Sequence, residues 1–313
     1  MARSILVTPR SVTRSGHPSL EKLRAAGWEV VFCRPGAQPS EDELRALLPG
    51  CAGYLAGVEP VTARALETAA DLRVISRNGT GIDNVDLAAA ARLGIALLRA
   101  EGANARGVAE LAIGQLLALA RGLSACDAAL KSGSWTRPAA GVELEGKTLG
   151  LAGCGRVGQL VAHLALGLGM NVCAHDPFPP AAFAPGPAFR LAPLEEVLRT
   201  ADFLSLHCPP TPDGSPLLDA SALALMKHGA FVVNTARHDL LDPEAALAAL
   251  DSGQLAGLAI DVFDTEPPTD TRLAQHGRVV ATPHLGGFTR ESVDRAMNAA
   301  VDGLLAFLGG APS

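Results

Sequence analysis

A glycine-rich turn in the middle of the chain has the spacing of a dinucleotide-binding site. Within LGLAGCGRVGQLVA, Gly153, Gly155 and Gly158 follow the pattern G-x-G-x-x-G, between an apolar strand-like run and a helix-forming run. Such glycines let the backbone turn tightly and approach a pyrophosphate, while the helix that follows offers free N–H groups to the phosphates. The competing interpretation is a structural turn between a strand and a helix of a sheet.

The next strand-like run ends in a carboxylate that would bind the ribose of such a nucleotide. Asp176 closes NVCAHD, 18 residues after Gly158. A carboxylate in this place accepts hydrogen bonds from the adenosine ribose diol and repels a 2′-phosphate. Pro177 and Phe178 follow, so no cation stands beside it in the sequence. The pattern therefore predicts NAD rather than NADP as the cofactor.

Three polar residues follow the apolar run FVV, in the stretch FVVNTARHDL. Arg237 is suited to clamp a carboxylate, because a guanidinium donates two parallel hydrogen bonds; the alternative is a surface arginine after a strand. His238 beside Asp239 looks like half of a hydrolase triad. Neighbouring side chains in a turn tend to diverge, however, and no G-x-S-x-G elbow accompanies the pair. We therefore assign chemistry to Arg237 and none to the other two.

The elements that must position these residues alternate along the chain. Short β-branched runs such as ILVT, EVVFC, GYLAG and RVISR are separated by Ala- and Leu-rich helical stretches, which is typical of βαβ units on a parallel sheet. A long helical pattern covers about 104–131, and a loop with Trp135 follows. A second series begins at KTLGLAGCG and ends at VVATPHL. The two series predict an α/β protein with two similar domains.

Composition narrows the class of protein. A chain of 313 residues suggests about two domains, and the net charge of −6 without a basic run argues against nucleic acid as a partner. The N-terminus resembles no secretion signal, and LAIGQLLALA is too short to span a bilayer. We expect a cytoplasmic protein with no membrane partner. The six cysteines have no C-x-x-C spacing, so we expect free buried thiols and no metal.

Seven motifs in order give the chain a family resemblance: RNGTGIDNVDLAAA, VAELAIGQLLALAR, GKTLGLAGCGRVG, LHCPPTP, VVNTAR, AIDVFDTEPP and TPHLGG. It resembles the D-isomer-specific 2-hydroxyacid dehydrogenases, most closely the D-3-phosphoglycerate dehydrogenase branch, over roughly residues 50–290. The resemblance implies two Rossmann-like, doubly wound parallel-sheet domains with a cleft between them. A discontinuous substrate domain would comprise 1–97 and 288–313, and an NAD-binding domain 98–287. It also implies a homodimer, with Trp135 in the contact, and no regulatory domain.

The same resemblance implies the catalytic groups of an NAD-dependent oxidoreductase that interconverts a D-2-hydroxy acid and its 2-keto acid. Arg237 would hold the substrate, and His284 would exchange the proton of the hydroxyl group. Glu266 would orient the imidazole, since a neighbouring carboxylate favours its protonated form. Backbone N–H groups at Asn78 and Gly79 would complete the site for the substrate carboxylate.

Further residues are expected around the ligands. The resemblance assigns Asp261 to the nicotinamide amide and Arg77 to the substrate. The full set expected around the cofactor is Thr80, Gly153, Gly155, Arg156, Val157, Gly158, Asp176, His207, Cys208, Pro209, Thr235, Ala236, Asp261, His284 and Gly286.

Two departures leave alternatives open. His238 stands where most relatives have a glycine, so either the turn is altered or the side chain occupies the edge of the cleft. Arg77 and Arg137 are candidates to bind a distal anion, such as the phosphate of 3-phosphoglycerate. Gly57 and Val58 stand where the branch typically has an arginine, however, so a sulfonate, a carboxylate or an uncharged tail stays open. The alternative function is an NAD-sensing corepressor-like binding protein with little turnover.

Overall fold

The computed structural model of the protein describes residues 3–135, 140–179 and 183–309. The chain forms two compact units: the first unit is Met1–Asn104 with Thr289–Ser313, and the second unit is Ala105–Phe288. The sequence predicted a division after residue 97. Strand β5, Ala96–Arg99, spans that position and pairs with the first sheet, so the structure divides the chain a few residues later.

The first unit contains a five-stranded sheet in the order β2-β1-β3-β4-β5, and the pairs are parallel. Its strands are β1 (Ser4–Val7), β2 (Glu29–Phe32), β3 (Cys51–Ala56), β4 (Val74–Arg77) and β5 (Ala96–Arg99). The helices between them are α1 (Arg10–Ser15), α2 (Leu20–Ala25), α3 (Glu41–Leu47), α4 (Ala63–Leu66) and α5 (Leu87–Arg92). The four strand-like runs of the sequence are confirmed, and β5 is a strand that the sequence analysis did not name.

Both faces of this first sheet are apolar, as expected of a parallel sheet covered by helices on each side. Alternate residues of one strand point to opposite faces, so Ile5 joins one buried cluster and Leu6 the other. Tyr54 and Ile75 lie in the same cluster as Leu6.

The second unit contains a seven-stranded parallel sheet in the order β12-β11-β10-β9-β6-β7-β8. Its strands are β6 (Thr148–Ala152), β7 (Asn171–His175), β8 (Phe189–Leu191), β9 (Phe203–Leu206), β10 (Ala230–Asn234), β11 (Leu255–Ile260) and β12 (Val279–Ala281). The helices are α6 (Ala105–Arg121), α7 (Leu123–Lys131), α8 (Arg156–Gly167), α9 (Leu194–Thr200), α10 (Ala220–Leu225), α11 (Pro243–Ser252) and α12 (Arg272–Gln275). The predicted α/β class is therefore confirmed in both units.

Strand β6 lies inside the second sheet, with β7 on one side and β9 on the other. The chain runs outward through β7 and β8, and then returns to the opposite side of β6 at β9. The helices that follow β6 and β9 consequently lie on different sides. In doubly wound sheets this reversal leaves a crevice at the carboxyl ends of the strands, and ligands bind there.

Helix α11 shows how the sequence sets the bounds of an element. Its N-cap, Asp242, accepts hydrogen bonds from the N–H groups of Glu244 and Ala245, and Pro243 occupies the first turn, where its missing N–H costs nothing. The helix stops at Gly253, which adopts a left-handed conformation (φ +81°) that an L side chain resists.

The single long helix expected over about 104–131 is in fact two helices. Gly122 has φ +60°, and α6 and α7 meet there at a bend of 65°. A left-handed residue cannot continue a right-handed helix, and glycine is the residue that adopts it at least cost. In the part of the chain that the structure describes, no single helix is long and apolar enough to cross a membrane; α6 and α7 pass that test only as a bent pair, on length and composition alone.

The chain returns to the first unit through α13 (Arg290–Gly309). This helix packs against β3, β4 and β5, and buries Met297, Val301 and Leu304 in the cluster that contains Ile5. All six cysteines are free, as expected; four are buried, and Cys126 and Cys208 are half-buried.

Gly150 in β6 has no room for a side chain. A Cβ atom there would lie 2.9 Å from both Ala201 Cβ and Val197 Cγ1. Gly150→Ala should lower the free energy of unfolding by about 1–3 kcal/mol, because overpacking forces neighbours from their preferred positions. The matched control is Gly167→Ala at the end of α8, where nothing lies within 4 Å; it should be neutral or slightly stabilising. Urea unfolding of both variants measures the difference, and equal midpoints would contradict the packing argument.

Candidate active site

The residues expected to carry chemistry in the second unit all follow carboxyl ends of its parallel strands. Such ends lie along one edge of the sheet, on neighbouring strands about 4.8 Å apart. The glycine turn follows β6, Asp176 follows β7 and His207 follows β9. Arg237 follows β10, Asp261 follows β11 and His284 follows β12.

The glycine turn meets the steric requirements of a pyrophosphate site. A Cβ on Gly153 (φ +100°) would lie 2.5 Å from the carbonyl of His207, and one on Gly158 would lie 2.2 Å from the carbonyl oxygen of Gly153. Gly155 caps the N-terminus of α8, and nothing lies within 4 Å of its Cβ position. The first and last glycines thus serve close packing, while the middle one leaves open space at a helix N-terminus, where a phosphate fits.

Asp176 is fixed beside this turn. Its Oδ2 accepts a hydrogen bond from the N–H of Cys154 at 2.7 Å, and its Oδ1 accepts one from the N–H of Phe178 at 2.8 Å. Burial, together with this carboxylate, raises the pKa of Cys154 and of Cys208 to about 11. Both thiols therefore stay protonated and unreactive at neutral pH.

His207 supports the turn. Its Nε2 lies 2.8 Å from the hydroxyl of buried Ser205, and its backbone contacts the position of a Cβ on Gly153. Burial lowers the pKa of His207 to about 4, so the ring is neutral at physiological pH. The expected contact of His207 with the cofactor stays a prediction.

The side chains of His284 and Glu266 are in direct contact, and their expected acid–base role stays a prediction. The Nδ1 atom of His284 lies 2.8 Å from Oε1 and 2.9 Å from Oε2 of Glu266. An ionised carboxylate can only accept, so Nδ1–H donates and Nε2 is left for exchange of a proton. Among the residues that the structure describes, His284 is the one non-glycine residue with positive φ, at +54°. Such backbone strain costs about 1–3 kcal/mol and is typical of functional positions.

Asp261 holds the segment on which His284 lies. Its carboxylate is buried, at 1% exposure, and accepts hydrogen bonds from the N–H of Leu285 (2.7 Å), the N–H of Gly286 (2.8 Å) and the hydroxyl of Thr282 (2.6 Å). A Cβ on Gly286 would approach Asp261 Oδ2 to 3.1 Å, so a side chain there would disturb the contact. The expected contact of Asp261 with a nicotinamide amide stays a prediction.

Arg237 extends from a turn that Asn234 braces. Asn234 is buried; its Nδ2 donates to the carbonyl of Arg237 at 2.8 Å and its Oδ1 accepts from the N–H of Ala236 at 3.1 Å. The half-buried Arg237 donates from Nη1 to the carbonyl of Ala236 at 2.7 Å. Sequence reasoning passed over Asn234; the signal was a polar residue that ends the apolar run FVVN. In the same turn the hydroxyl of Thr235 is buried without a partner, which is the kind of group that a bound ligand satisfies.

His238 and Asp239 form no dyad. They lie in a 3-10 helix, His238–Leu240; His238 is exposed, and Asp239 Oδ1 is buried without a partner. His238 does not have a positive φ. The backbone conformation at His238 therefore does not require glycine.

The loop expected to bind the substrate carboxylate lies at the carboxyl end of β4 in the first unit. Buried Arg77 donates from Nε to Asn84 Oδ1 at 3.2 Å and from Nη1 to the carbonyl of Asn78 at 2.8 Å. The N–H groups of Asn78 and Gly79 donate to the carbonyls of Ala56 (2.9 Å) and Arg77 (2.8 Å), and their expected contact with the substrate carboxylate stays a prediction. The hydrogen bond of Asn78 continues the pairing of β4 with β3, and the hydrogen bond of Gly79 closes a tight turn.

The next two amides in that loop are available to a ligand. In the part of the chain that the structure describes, no acceptor is bound to the N–H of Thr80 or of Gly81. The hydroxyl of Thr80 donates to Asn104 Oδ1 at 3.0 Å, which fixes the loop. Sequence spacing alone does not show which of these four amides donate within the chain, since that depends on the pairing of β4 with β3 and on the turn that follows β4.

The other residues expected around the cofactor lie in the segments that follow the strands of the second unit. Arg156 and Val157 begin α8, Pro209 is exposed after β9, and Ala236 is half-buried in the Arg237 turn. Trp135 is 80% exposed. Arg137 falls outside the described residues. Within those residues, no group of three or more His, Cys, Asp or Glu side chains is arranged to hold a metal ion.

Comparison with known proteins identifies the family. The family model described as "D-isomer specific 2-hydroxyacid dehydrogenase, NAD binding domain" matches residues 113–286, more than half of the chain. The chain belongs to the D-isomer-specific 2-hydroxyacid dehydrogenase family. The second unit is accordingly its NAD-binding domain, and the predicted family and cofactor are confirmed.

Individual relatives place the chain near one branch of this dehydrogenase family. It is 42% identical over 277 residues to D-3-phosphoglycerate dehydrogenase of Sus scrofa, covering 88% of this chain and 51% of that protein. The chain thus spans about half the length of the curated relatives it matches. Its fold is similar to the TT0316 protein of Thermus thermophilus, with a TM-score of 0.88 and 37% identity over 98% of this chain and 97% of the other. It is also similar to D-lactate dehydrogenase from Aquifex aeolicus complexed with NAD and lactic acid, with a TM-score of 0.82 and 25% identity over 98% and 96% of the two chains.

The lowered pKa of His207 makes the stability of this dehydrogenase-family protein depend on pH. The folded value of about 4 lies below the unfolded value near 6.5, so the unfolded chain binds more protons between them and stability falls as the pH drops through that window. Near pH 5 the loss attributable to this half-buried ring is at most about 1–2 kcal/mol. His207→Asn should remove this part of the pH dependence, whereas His228→Asn, at an exposed histidine, should not. Thermal unfolding from pH 7 to pH 5 measures both, and parallel curves for all three proteins would contradict the assignment.

Proposed function

We propose that the protein is an NAD-dependent oxidoreductase that interconverts a D-2-hydroxy acid and its 2-keto acid. The observation that carries the proposal is the His284–Glu266 pair, held at 2.8 Å on a strained backbone at the same sheet edge as the glycine turn. A hydroxyl group loses a proton and a hydride when it is oxidised, so the reaction needs an acid–base group beside a dinucleotide. The second unit has a candidate for the acid–base group, His284 with Glu266, and a candidate binding site for the dinucleotide, the glycine turn.

The chemistry of reduction follows from these groups. Gly153, Gly155, Gly158 and Asp176 would hold NADH, which would supply the hydride for the carbonyl carbon. His284, protonated, donates from Nε2 to the carbonyl oxygen, and Glu266 keeps the ring oriented through Nδ1 and stabilises its charge. Arg237 binds the carboxylate or the keto oxygen with its planar fork. In oxidation the neutral imidazole accepts the hydroxyl proton instead.

We assign the substrate to the first unit and its carboxylate to the loop after β4. The free N–H groups of Thr80 and Gly81 support this assignment, because backbone amides are effective donors to a carboxylate. For the tail of the substrate we propose 3-phosphoglycerate or a related anionic 2-hydroxy acid. The similarity to D-3-phosphoglycerate dehydrogenases and the neighbouring guanidinium of Arg77 support that choice.

We further propose a cytoplasmic homodimer. Helix α7 buries none of its residues within the chain, although Leu123 and Leu130 are 55% and 58% exposed and Trp135 beyond it is 80% exposed. Leu123 and Leu130 are seven residues apart and so lie on one face of α7, and exposed apolar side chains on one face favour contact with another protein surface. A second copy of the chain is the partner proposed here.

Oxidation of NADH with a panel of 2-keto acids tests the proposed activity. Arg237→Lys keeps the charge but loses the planar fork, so kcat/KM should fall by roughly 30- to 1,000-fold, or about 2–4 kcal/mol. The matched control is His238→Gly at the neighbouring exposed position, which should stay within about tenfold of the unmodified protein. Tight NADH binding without turnover of any keto acid would favour the alternative, a corepressor-like NAD sensor.

The cofactor preference gives a second test. Asp176 repels a 2′-phosphate, so kcat/KM should be at least about tenfold higher with NADH than with NADPH. Asp176→Ala should narrow that ratio, mainly by improving use of NADPH. Asp42→Ala, at an exposed carboxylate of the first unit, should leave the ratio unchanged. Equal use of both cofactors by the unmodified protein would refute the role of Asp176.

A further inference from the structure

We propose that Gln115 is a positioning residue for His284, and that it acts through Thr282 and Asp261. The three side chains form a chain of hydrogen bonds that runs from the middle of α6 to the backbone on either side of the histidine. The catalytic consequence rests on the function proposed above. The effect on how well the backbone of 282–286 is ordered does not depend on that function, and it can be measured without any turnover of substrate.

Gln115 is a polar residue at a core position. It is 3% exposed, and its helical neighbours Ala112 and Leu116 are buried in an apolar cluster. Its Nε2 lies 2.9 Å from Thr282 Oγ1, while its Oε1 is buried without a partner. A buried amide costs free energy unless it is hydrogen-bonded, so an apolar residue would be the more stable choice at this position unless the contact with Thr282 has a use.

The direction of the hydrogen bonds follows from the donors available. Asp261, when ionised, only accepts, and its Oδ1 lies 2.6 Å from Thr282 Oγ1. The single proton of the threonine hydroxyl is therefore committed to Asp261. The remaining lone pairs of that oxygen need a donor, which Gln115 Nε2 supplies. Gln115 thus holds the hydroxyl of Thr282 in the rotamer in which it donates to the carboxylate of Asp261.

The carboxylate of Asp261 in turn accepts hydrogen bonds from residues on both sides of His284. Thr282 lies two residues before the histidine, and the amides of Leu285 and Gly286, which also donate to Asp261, follow it at once. His284 has φ +54°, a conformation that costs about 1–3 kcal/mol and persists only where its surroundings enforce it. Loss of one hydrogen bond among Gln115, Thr282 and Asp261 should let the backbone of 282–286 open more often. The imidazole of His284 would then leave its position more often.

Amide hydrogen exchange on the full chain without ligands tests this order directly. In Gln115→Met, which keeps the length of the side chain but removes the donor, exchange at Leu285 and Gly286 should be about tenfold faster, the effect of one hydrogen bond. Exchange in β6 and β9 should not change. The control is Leu116→Val, which weakens the same helix core without touching Thr282 and should raise exchange without preference for 282–286.

Kinetics then separates positioning from general destabilisation. Gln115→Met should lower kcat by about five- to tenfold with the KM for NADH within about twofold, since the glycine turn is intact. Thr282→Ser, which keeps the hydroxyl, should retain near-normal kcat. Thr282→Val, which removes the hydrogen bonds to both Asp261 and Gln115, should lower kcat at least as much as Gln115→Met does. The double variant Gln115→Met with Thr282→Val should be no worse than Thr282→Val alone, because the two residues share one chain of contacts.

The outcomes distinguish this proposal from the proposed function. Unchanged exchange at Leu285 and Gly286 in Gln115→Met, or a rise equal to that in Leu116→Val, would overturn the positioning role whatever the activity. If the unmodified protein reduces no keto acid but Gln115→Met still loosens 282–286, the chain of contacts stands and the proposed function fails. If Gln115→Met does not fold, Thr282→Val gives the same exchange test from the other side of the contact.

Discussion

A buried carboxylate with three donors is the constraint on which the candidate site depends. Asp261 is 1% exposed, and a charge so placed is tolerated only when hydrogen bonds replace the water it has lost. Those hydrogen bonds come from the hydroxyl and amides of 282–286, so the segment has little freedom to adopt another path. The strained backbone of His284 is the consequence: its cost is offset by contacts that would be lost if the strain relaxed.

The sheet carries this local constraint to the rest of the site. The N–H of Asp261 donates to the carbonyl of Asn234 at 3.0 Å, and the N–H of Thr282 donates to the carbonyl of Ile260 at 3.0 Å, so each ladder continues one residue beyond its strand. The ends of β10, β11 and β12 are therefore held in register where the polar residues begin. Asn234 braces the arginine turn as Asp261 braces the histidine segment, and both do so with buried side chains that need no ligand.

How much could be read from the sequence depends on the range of the interaction. The glycine turn and the roles of Asp176 and Arg237 follow from local spacing, because strand, turn and helix are contiguous there. The break at Gly122 was harder to foresee, since a lone glycine in a helix is usually tolerated. The contact of Gln115 with Thr282 spans 167 residues, and no local pattern indicates it. The hydrogen bond from the N–H of Asn78 to the carbonyl of Ala56 is likewise not visible in the motif, because it depends on the pairing of β4 with β3.

Two pairs of a histidine and an acid, His238 with Asp239 and His284 with Glu266, show that neighbours in the sequence need not be in contact in the structure. His238 and Asp239 are neighbours in sequence, yet their short helix directs them apart and leaves Asp239 Oδ1 without a partner. Glu266 and His284 are 18 residues apart, but they follow β11 and β12, which pair directly, so the fold returns them to within 2.8 Å. Glu266 lies in the loop between β11 and β12, and His284 lies in the segment that follows β12, so strand pairing brings the two segments together and the loop completes the contact. The contact between these two residues is therefore a product of the fold and not of their order in the chain, which is why adjacency in sequence was a poor guide to the pair.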